Sequence, residues 1–247
     1  MFYLLLSIPF QEPLKLITDC PTLVQQFRQK HGSFVTECNP DTTAGLTVHS
    51  HSLPEVEDIL YHYRRFSSDI LALHGAAVAA RNGARLLLAP TTGGKTTLTC
   101  YLTQNGMDYI TDDCILIHKN TLQVHPYPEP LHLRKESLAV LHYYHVSPEY
   151  FTQCEQLNNV TFPRHVYTPV NCVTNPLPIH SIYFLERTEN QNTLQPMPTT
   201  ACISALLQAP IMEYPMNASY IHFMTVLAKY PCYKLCYNDM NYVLNIL

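Results

Sequence analysis

A lysine, a run of threonines and a pair of aspartates within one short stretch carry the chemistry of this sequence. The stretch reads Leu86-Leu87-Leu88-Ala89-Pro90-Thr91-Thr92-Gly93-Gly94-Lys95-Thr96-Thr97, then an apolar helical run, then Tyr109-Ile110-Thr111-Asp112-Asp113. Small residues let backbone N–H groups turn inward around phosphate oxygens, a lysine reaches the outer phosphates, and a hydroxyl holds a metal ion. Gly93, Gly94, Lys95 and Thr96 supply these groups, and Thr91, Thr92 and Thr97 complete the loop. A helix starting near Lys95 would point its positive end at the bound anion. One position departs from the pattern: the expected glycine six residues before the lysine is Ala89, which does not take positive φ cheaply.

The aspartates lie one strand beyond that helix. In a phosphoryl-transfer site one carboxylate accepts the acceptor's proton or positions the nucleophile, and another holds Mg²⁺. Adjacent strand-end residues point to different sides, which suits two roles, and mutual repulsion raises the pKa of one of them. A lone Asp-Asp reads as a solvated turn; one βαβ step past a phosphate loop it does not.

The elements that must hold these groups are legible in outline. The apolar runs Ile70 to Ala80 and Arg85 to Leu88 flank Arg81-Asn82-Gly83-Ala84. Asn-Gly between apolar runs predicts a hairpin, which would set His74 beside the loop. Residues 1–10 and 14–17 read as strands, 19–30 as a helix ended by Gly32, and 33–48 as strand and turn. Ser52-Leu53-Pro54-Glu55 reads as a capping box opening a helix that Arg64 and Arg65 close. Strands follow over 114–118 and 122–125, and Leu131 to Arg134 looks extended. Helices are expected near 136–145 and 148–156, and the Pro- and Asn-rich 157–178 stretch as a long substrate loop or lid. A strand over 180–185, helices over 200–207 and 219–229, and a strand over 233–237 complete the chain, with a short terminal helix as an option.

Taken in order, His74-Gly75, the Asn-Gly hairpin, Gly93-Gly94-Lys95-Thr96 and Thr111-Asp112-Asp113 resemble the HPr kinase/phosphorylase family. The resemblance covers residues 70–190 and is weaker through Pro126 to Arg134 and Ser181 to Leu185. It implies an α/β fold: a P-loop nucleotide-binding core of the HPr kinase and phosphoenolpyruvate carboxykinase type, a mixed sheet flanked by helices. It implies two regions, an N-terminal α/β appendage over 1–67 and the kinase core over 68–247, with one continuous domain as the other reading. It implies ATP and Mg²⁺ as cofactors, Lys95 on the outer phosphates, Thr96 on Mg²⁺, Asp112 as general base toward a serine hydroxyl, Asp113 assisting with metal, and His74 near the transferred phosphate. Arg134 matches the family's Glu-Ile-Arg segment, but the metal-binding Glu of that segment is replaced in His132-Leu133-Arg134. Glu129 and Asp113 are its candidate substitutes, and Arg164 is a second candidate phosphate clamp. The family's Gly-rich substrate loop is missing, which argues against HPr as substrate.

The short form is similar to the HPr-kinase-like proteins of peptide-tailoring clusters, which phosphorylate a serine on a precursor peptide, as in lasso peptide pathways. That similarity implies a peptide or protein partner carrying the acceptor serine. The family forms hexamers, so a homo-oligomer is a further expectation. A small-molecule alcohol kinase and a nucleotide-binding regulator without chemistry are the rivals.

Composition narrows the classes. The 247 residues carry 14% charged and 47% hydrophobic residues, which is globular, and a net charge of −4 argues against nucleic acid or an anionic membrane as partner. Nine cysteines, odd in number and without a CxxC, predict free thiols and a cytoplasmic setting. The apolar start, Met1 to Phe10, is too short to span a bilayer and lacks the pattern of a signal peptide.

Overall fold

The computed structural model describes residues 1–63, 69–80, 83–154, 164–210 and 217–247. Packing divides the chain into two compact units, residues 1–68 with 129–168, and residues 69–128 with 169–247. The segment 129–168, expected within the second region, therefore belongs to the first.

The first unit opens with β1 (Phe2–Leu6), β2 (Leu14–Thr18), α1 (Pro21–His31), β3 (Val35–Glu37), β4 (Leu46–His49) and α2 (Leu53–Tyr63). The strands form one sheet in the order β3-β1-β2-β4. Helix α1 starts on Pro21, buries Leu23, Val24 and Phe27 at helical spacing, and stops at Gly32, whose φ of 56° suits a residue without a Cβ. At the start of α2 the expected Ser52–Glu55 box is anchored on Ser50. The Ser50 hydroxyl donates to Glu55 Oε2 at 2.7 Å and accepts from the Ser52 N–H at 3.0 Å. Arg64 and Arg65 lie outside the described residues.

The chain then enters the second unit with β5 (Ile70–Leu73), β6 (Gly75–Ala80), β7 (Gly83–Leu88), α3 (Lys95–Gln104), β8 (Asp108–Thr111), β9 (Ile115–His118) and β10 (Gln123–His125). It returns to the first for β11 (Leu131–Leu133), α4 (Lys135–Tyr143), β12 (Thr152–Cys154) and β13 (Arg164–Tyr167), where the strands form a sheet ordered β11-β13-β12. The helix expected over 148–156 reduces to a 3₁₀ turn at Pro148–Tyr150 followed by β12. The stretch expected as a long loop over 157–178 contains β13 and reaches the next strand, while 155–163 lie outside the described residues. The second unit ends with β14 (Leu177–Arg187), β15 (Thr193–Pro196), α5 (Thr199–Leu206), α6 (Ala218–Leu227), β16 (Cys232–Tyr237) and α7 (Met240–Ile246).

This second unit is a mixed α/β fold built on one nine-stranded sheet, ordered β5-β9-β10-β14-β7-β6-β8, with β16 on β14 and β15 on β16. All six residues of β7 are buried, as a strand with neighbours on both sides demands. It runs parallel to β14 and antiparallel to β6. Strand β6 is in turn antiparallel to β8. So β7 and β8, joined through α3, are parallel with β6 lying between them. In the hairpin Ala80 faces Gly83 and Gly75 faces Leu88; the turn residues 81 and 82 lie outside the described residues. Leu86, Leu88 and Ile182 of the sheet join Leu206 of α5 and Phe223, Met224 and Leu227 of α6 in one core. Helix α3 packs on β6 and beside α7.

Candidate phosphate-binding site

Because β6 is antiparallel to both neighbours, its first residues share a sheet edge with the last residues of β7 and β8. His74 comes just before β6, the glycine loop just after β7, and Asp112 just after β8. The loop turns sharply: the Gly93 N–H donates to the Pro90 carbonyl at 3.0 Å. Within that turn Thr92 has φ 67° and Gly94 has φ 86°. A β-branched residue in the left-handed region is strained, and such strain concentrates at functional loops. Alternation of right- and left-handed residues gathers successive N–H groups into an anion-binding concavity, and α3 begins at its rim with Gly94 as N-cap.

Ala89 fits this loop without strain. Its φ is not positive, and space for its methyl comes from Gly93, where a Cβ would stand 2.7 Å from Ala89 Cβ. The missing glycine is thus replaced by an Ala89–Gly93 contact.

Lys95 is 5% exposed. Its Nζ donates to the Ala89 carbonyl at 2.9 Å, to the Pro90 carbonyl at 3.2 Å, and to His74 Nε2 at 3.1 Å. As acceptor toward Lys95, Nε2 is unprotonated, and the Asp113 backbone also hydrogen-bonds to the ring. Burial, then the Lys95 charge, pull the His74 pKa down, and Asp113 only partly opposes them, so His74 is a neutral imidazole. Burial also lowers the Lys95 pKa, against the attraction of Asp113 and Asp112.

The two aspartates are placed differently. Asp112 is 7% exposed, its Oδ1 is buried with no hydrogen-bond partner, and Thr96 hydrogen-bonds to its carboxylate. Burial and the neighbouring Asp113 push its pKa up to about 8, while Thr96 and Lys95 pull the other way. Asp113 is exposed, with φ 63°, at the centre of a turn in which the Cys114 N–H donates to the Asp112 carbonyl at 2.8 Å. An i to i+2 bond across a positive-φ residue is a strained γ-turn, held here by the Thr111 hydroxyl donating to the Cys114 carbonyl at 2.8 Å.

The structure therefore gathers His74, Lys95, Thr96, Asp112 and Asp113 at one sheet edge, next to Thr91, Thr92, Gly93, Gly94 and Thr97 of the loop and helix start. Arg134 and Glu129, expected with these groups, fall in the other compact unit. Arg134 belongs to the first unit, is exposed, and precedes α4, where its carbonyl accepts from the Ser137 N–H at 3.0 Å. Glu129 is likewise in the first unit and is engaged by His31 Nδ1 at 2.7 Å. The Arg164 side chain lies outside the described residues. Among the described residues no cluster of three or more His, Cys, Asp or Glu stands ready to hold a metal alone. A cation here would be held by Thr96, an aspartate and the phosphates themselves, the habit of Mg²⁺.

One neighbour of the loop escaped the sequence reading. A Cβ on Gly94 would stand 3.0 Å from Arg187 Cδ and 3.2 Å from Tyr237 Oη. These residues end β14 and β16, the parallel strands beside β7. The available signal was positional, since open α/β sheets bind ligands at the carboxyl ends of parallel strands.

No family profile matches the chain, and no curated protein matches it. Among solved structures it is similar to the Hpr(Ser) kinase/phosphatase from Coxiella burnetii, at 12% identity and a TM-score of 0.33, over 71% of this chain and 90% of that one. A likeness of that extent carries no weight for the site, which rests on the distances above. Among the described residues no helix is long and apolar enough to cross a membrane, and the eight described cysteine side chains are free.

Proposed function

We propose that this protein is an ATP-dependent kinase that transfers the γ-phosphate to a serine hydroxyl of a peptide or protein, a ribosomally made precursor peptide being the favoured substrate. The observation that supports it is a buried lysine and a buried, half-unpartnered aspartate at the mouth of a phosphate loop. Lys95 would leave the Ala89 and Pro90 carbonyls for the outer phosphates. The N–H groups of Gly93 to Thr97 would take the remaining oxygens. Catalysis would be positioning plus charge stabilisation in a site poor in water. Asp112 would accept the serine proton, a task suited to a carboxylate whose affinity for protons is raised toward neutral pH. His74, neutral and hydrogen-bonded to Lys95, would fix the lysine's approach. Thr96 and Asp113 would hold Mg²⁺, which supplies charge neutralisation on the phosphates. The free cysteines agree with a cytoplasmic site of action.

The Thr96–Asp112 hydrogen bond favours a second reading in which the carboxylates exchange roles, Asp112 standing at the metal and Asp113 at the acceptor. Incubation with Mg-ATP and a precursor peptide encoded beside the protein, read by peptide mass, tests both. One added phosphate, lost in Asp112→Asn at every Mg²⁺ concentration, supports the base assignment. Activity of Asp112→Asn recovered at high Mg²⁺ supports the exchange. ATP bound without turnover on any peptide or metabolite alcohol would leave a nucleotide-gated regulator.

A further inference from the structure

We infer that Arg187 belongs to the phosphate site and lays its guanidinium beside Gly94 to bind the polyphosphate chain of a nucleoside triphosphate. The inference deepens the kinase reading and rests on it. Three observations converge. Arg187 Cδ lies 3.0 Å from the position a Gly94 Cβ would occupy, so the aliphatic stem covers the residue that caps α3 and the guanidinium begins one bond further on. That approach is open only because Gly94 has no side chain.

The second observation is register. Arg187 pairs with Tyr237 across β14 and β16, and both reach Gly94. Two parallel strands thus end against the same loop residue, one with a cation and one with a buried phenol. The third is the state of the guanidinium. Arg187 is exposed, and among the described residues its guanidinium has neither an ion pair nor a hydrogen bond, although Glu186 beside it is taken by Lys234 at 2.6 Å. An arginine held by its stem with its fork unspent is suited to bidentate contact with phosphate oxygens. It also supplies a second cation at a loop where Lys95 must serve the outer phosphates.

The test measures affinity rather than turnover. ATP and adenosine compete with a fluorescent ATP analogue on the wild type, Arg187→Ala, Arg187→Lys and Lys95→Ala, with thermal unfolding checked for each. Loss of one charged contact is expected to weaken ATP about tenfold in Arg187→Ala. Adenosine should be unaffected, and Arg187→Lys should fall between because an ammonium is a point charge. Equal ATP affinity in wild type and Arg187→Ala, with binding lost in Lys95→Ala, overturns the Arg187 role and leaves the kinase reading intact. An equal loss for ATP and adenosine overturns it too, since it marks a structural effect. A wild type that does not bind ATP overturns both.

Discussion

Each unit gathers a histidine, a lysine and two carboxylates, and the two clusters are resolved in opposite ways. In the first, His31 is fully buried with Nδ1 2.7 Å from Glu129 and Nε2 3.0 Å from Glu57, while Lys30 pairs with Glu57. Two positive and two negative charges close on each other. Burial alone would lower the His31 pKa, but Glu129 and Glu57 outweigh it and the net shift is upward. His31 and Lys30 in turn outweigh burial at Glu57 and bring its pKa down to about 2. In the second cluster Lys95 rests on carbonyls and a neutral His74, Asp112 keeps an oxygen without a partner, and Asp113 turns outward. The same residue types staple one unit and leave the other with unspent charge. A buried pair is costly to break, and a buried group left without its partner marks a candidate ligand site.

The sharpest way to break the comparison is to remove one acid from each side. Asp112→Asn should cut phosphoryl transfer by about 10²–10⁴-fold, the span of general-base catalysis. The same change should stabilise the ligand-free protein, because it replaces a buried group whose charged form is disfavoured. Steady-state kinetics and urea unfolding at pH 8 read the two effects, and a loss of stability would contradict the functional reading of the cluster. His31→Ala should do the reverse. It leaves Glu57 and Glu129 without their shared cation and should cost about 3–5 kcal/mol of stability. Nucleotide affinity per folded molecule should stay unchanged.

A smaller effect separates the clusters by pH. His31 has a folded pKa raised above 6.5, so its stabilisation is full below 6.5 and is lost as pH rises through the folded value. Glu57 has a folded pKa of about 2 against 4.5, so its stabilisation is full above 4.5 and is lost as pH falls toward 2. The staple is therefore strongest between those limits, at about pH 4.5–6.5. The neighbouring His132, lowered to about 4 by burial, is neutral throughout that window and does not disturb it. Denaturant unfolding should show the wild type less stable at pH 8 than at pH 5.5, through the loss of the His31 charge and through ionisation of the buried Asp112. His31→Gln should lose the part due to the staple, and Asp112→Asn should keep that part while losing its own.

Local pattern exposed the second cluster in the sequence and hid the first. The phosphate loop, the hairpin and the aspartate pair lie within 40 residues, from His74 to Asp113, and strand alternation plus one turn suffices to bring them together. Glu129 reaches His31 across a separation of 98 residues, after the chain has left the first unit and come back. No local periodicity encodes that return, so the pairing of Glu129 with His31 is not legible in the sequence. β12 and β13 stand where a helix and a loop are expected from the sequence: β13 pairs with β11 on one side and β12 on the other, so tertiary pairing overrode local preference. Arg187 stayed hidden because the order of parallel strands, not the spacing of residues, brings it to Gly94.

The smallest predicted effect concerns the loop's departure from pattern. If Ala89 and Gly93 share one methyl's worth of space, Ala89→Gly should leave ATP affinity unchanged and lower stability by only about 0.5–1 kcal/mol, the entropy of a freer unfolded chain. Gly93→Ala should be far worse, since the new Cβ would meet Ala89 Cβ at 2.7 Å and the Pro90 carbonyl at 2.9 Å. The double variant should recover the part due to Ala89 and retain the part due to Pro90. Nucleotide affinity and unfolding midpoints across the four proteins check this: a non-additive cycle is expected between two residues in contact. Additivity would mean that the methyl of Ala89 is not what fills the place of the missing glycine, and that the loop tolerates alanine for some other reason than the contact with Gly93.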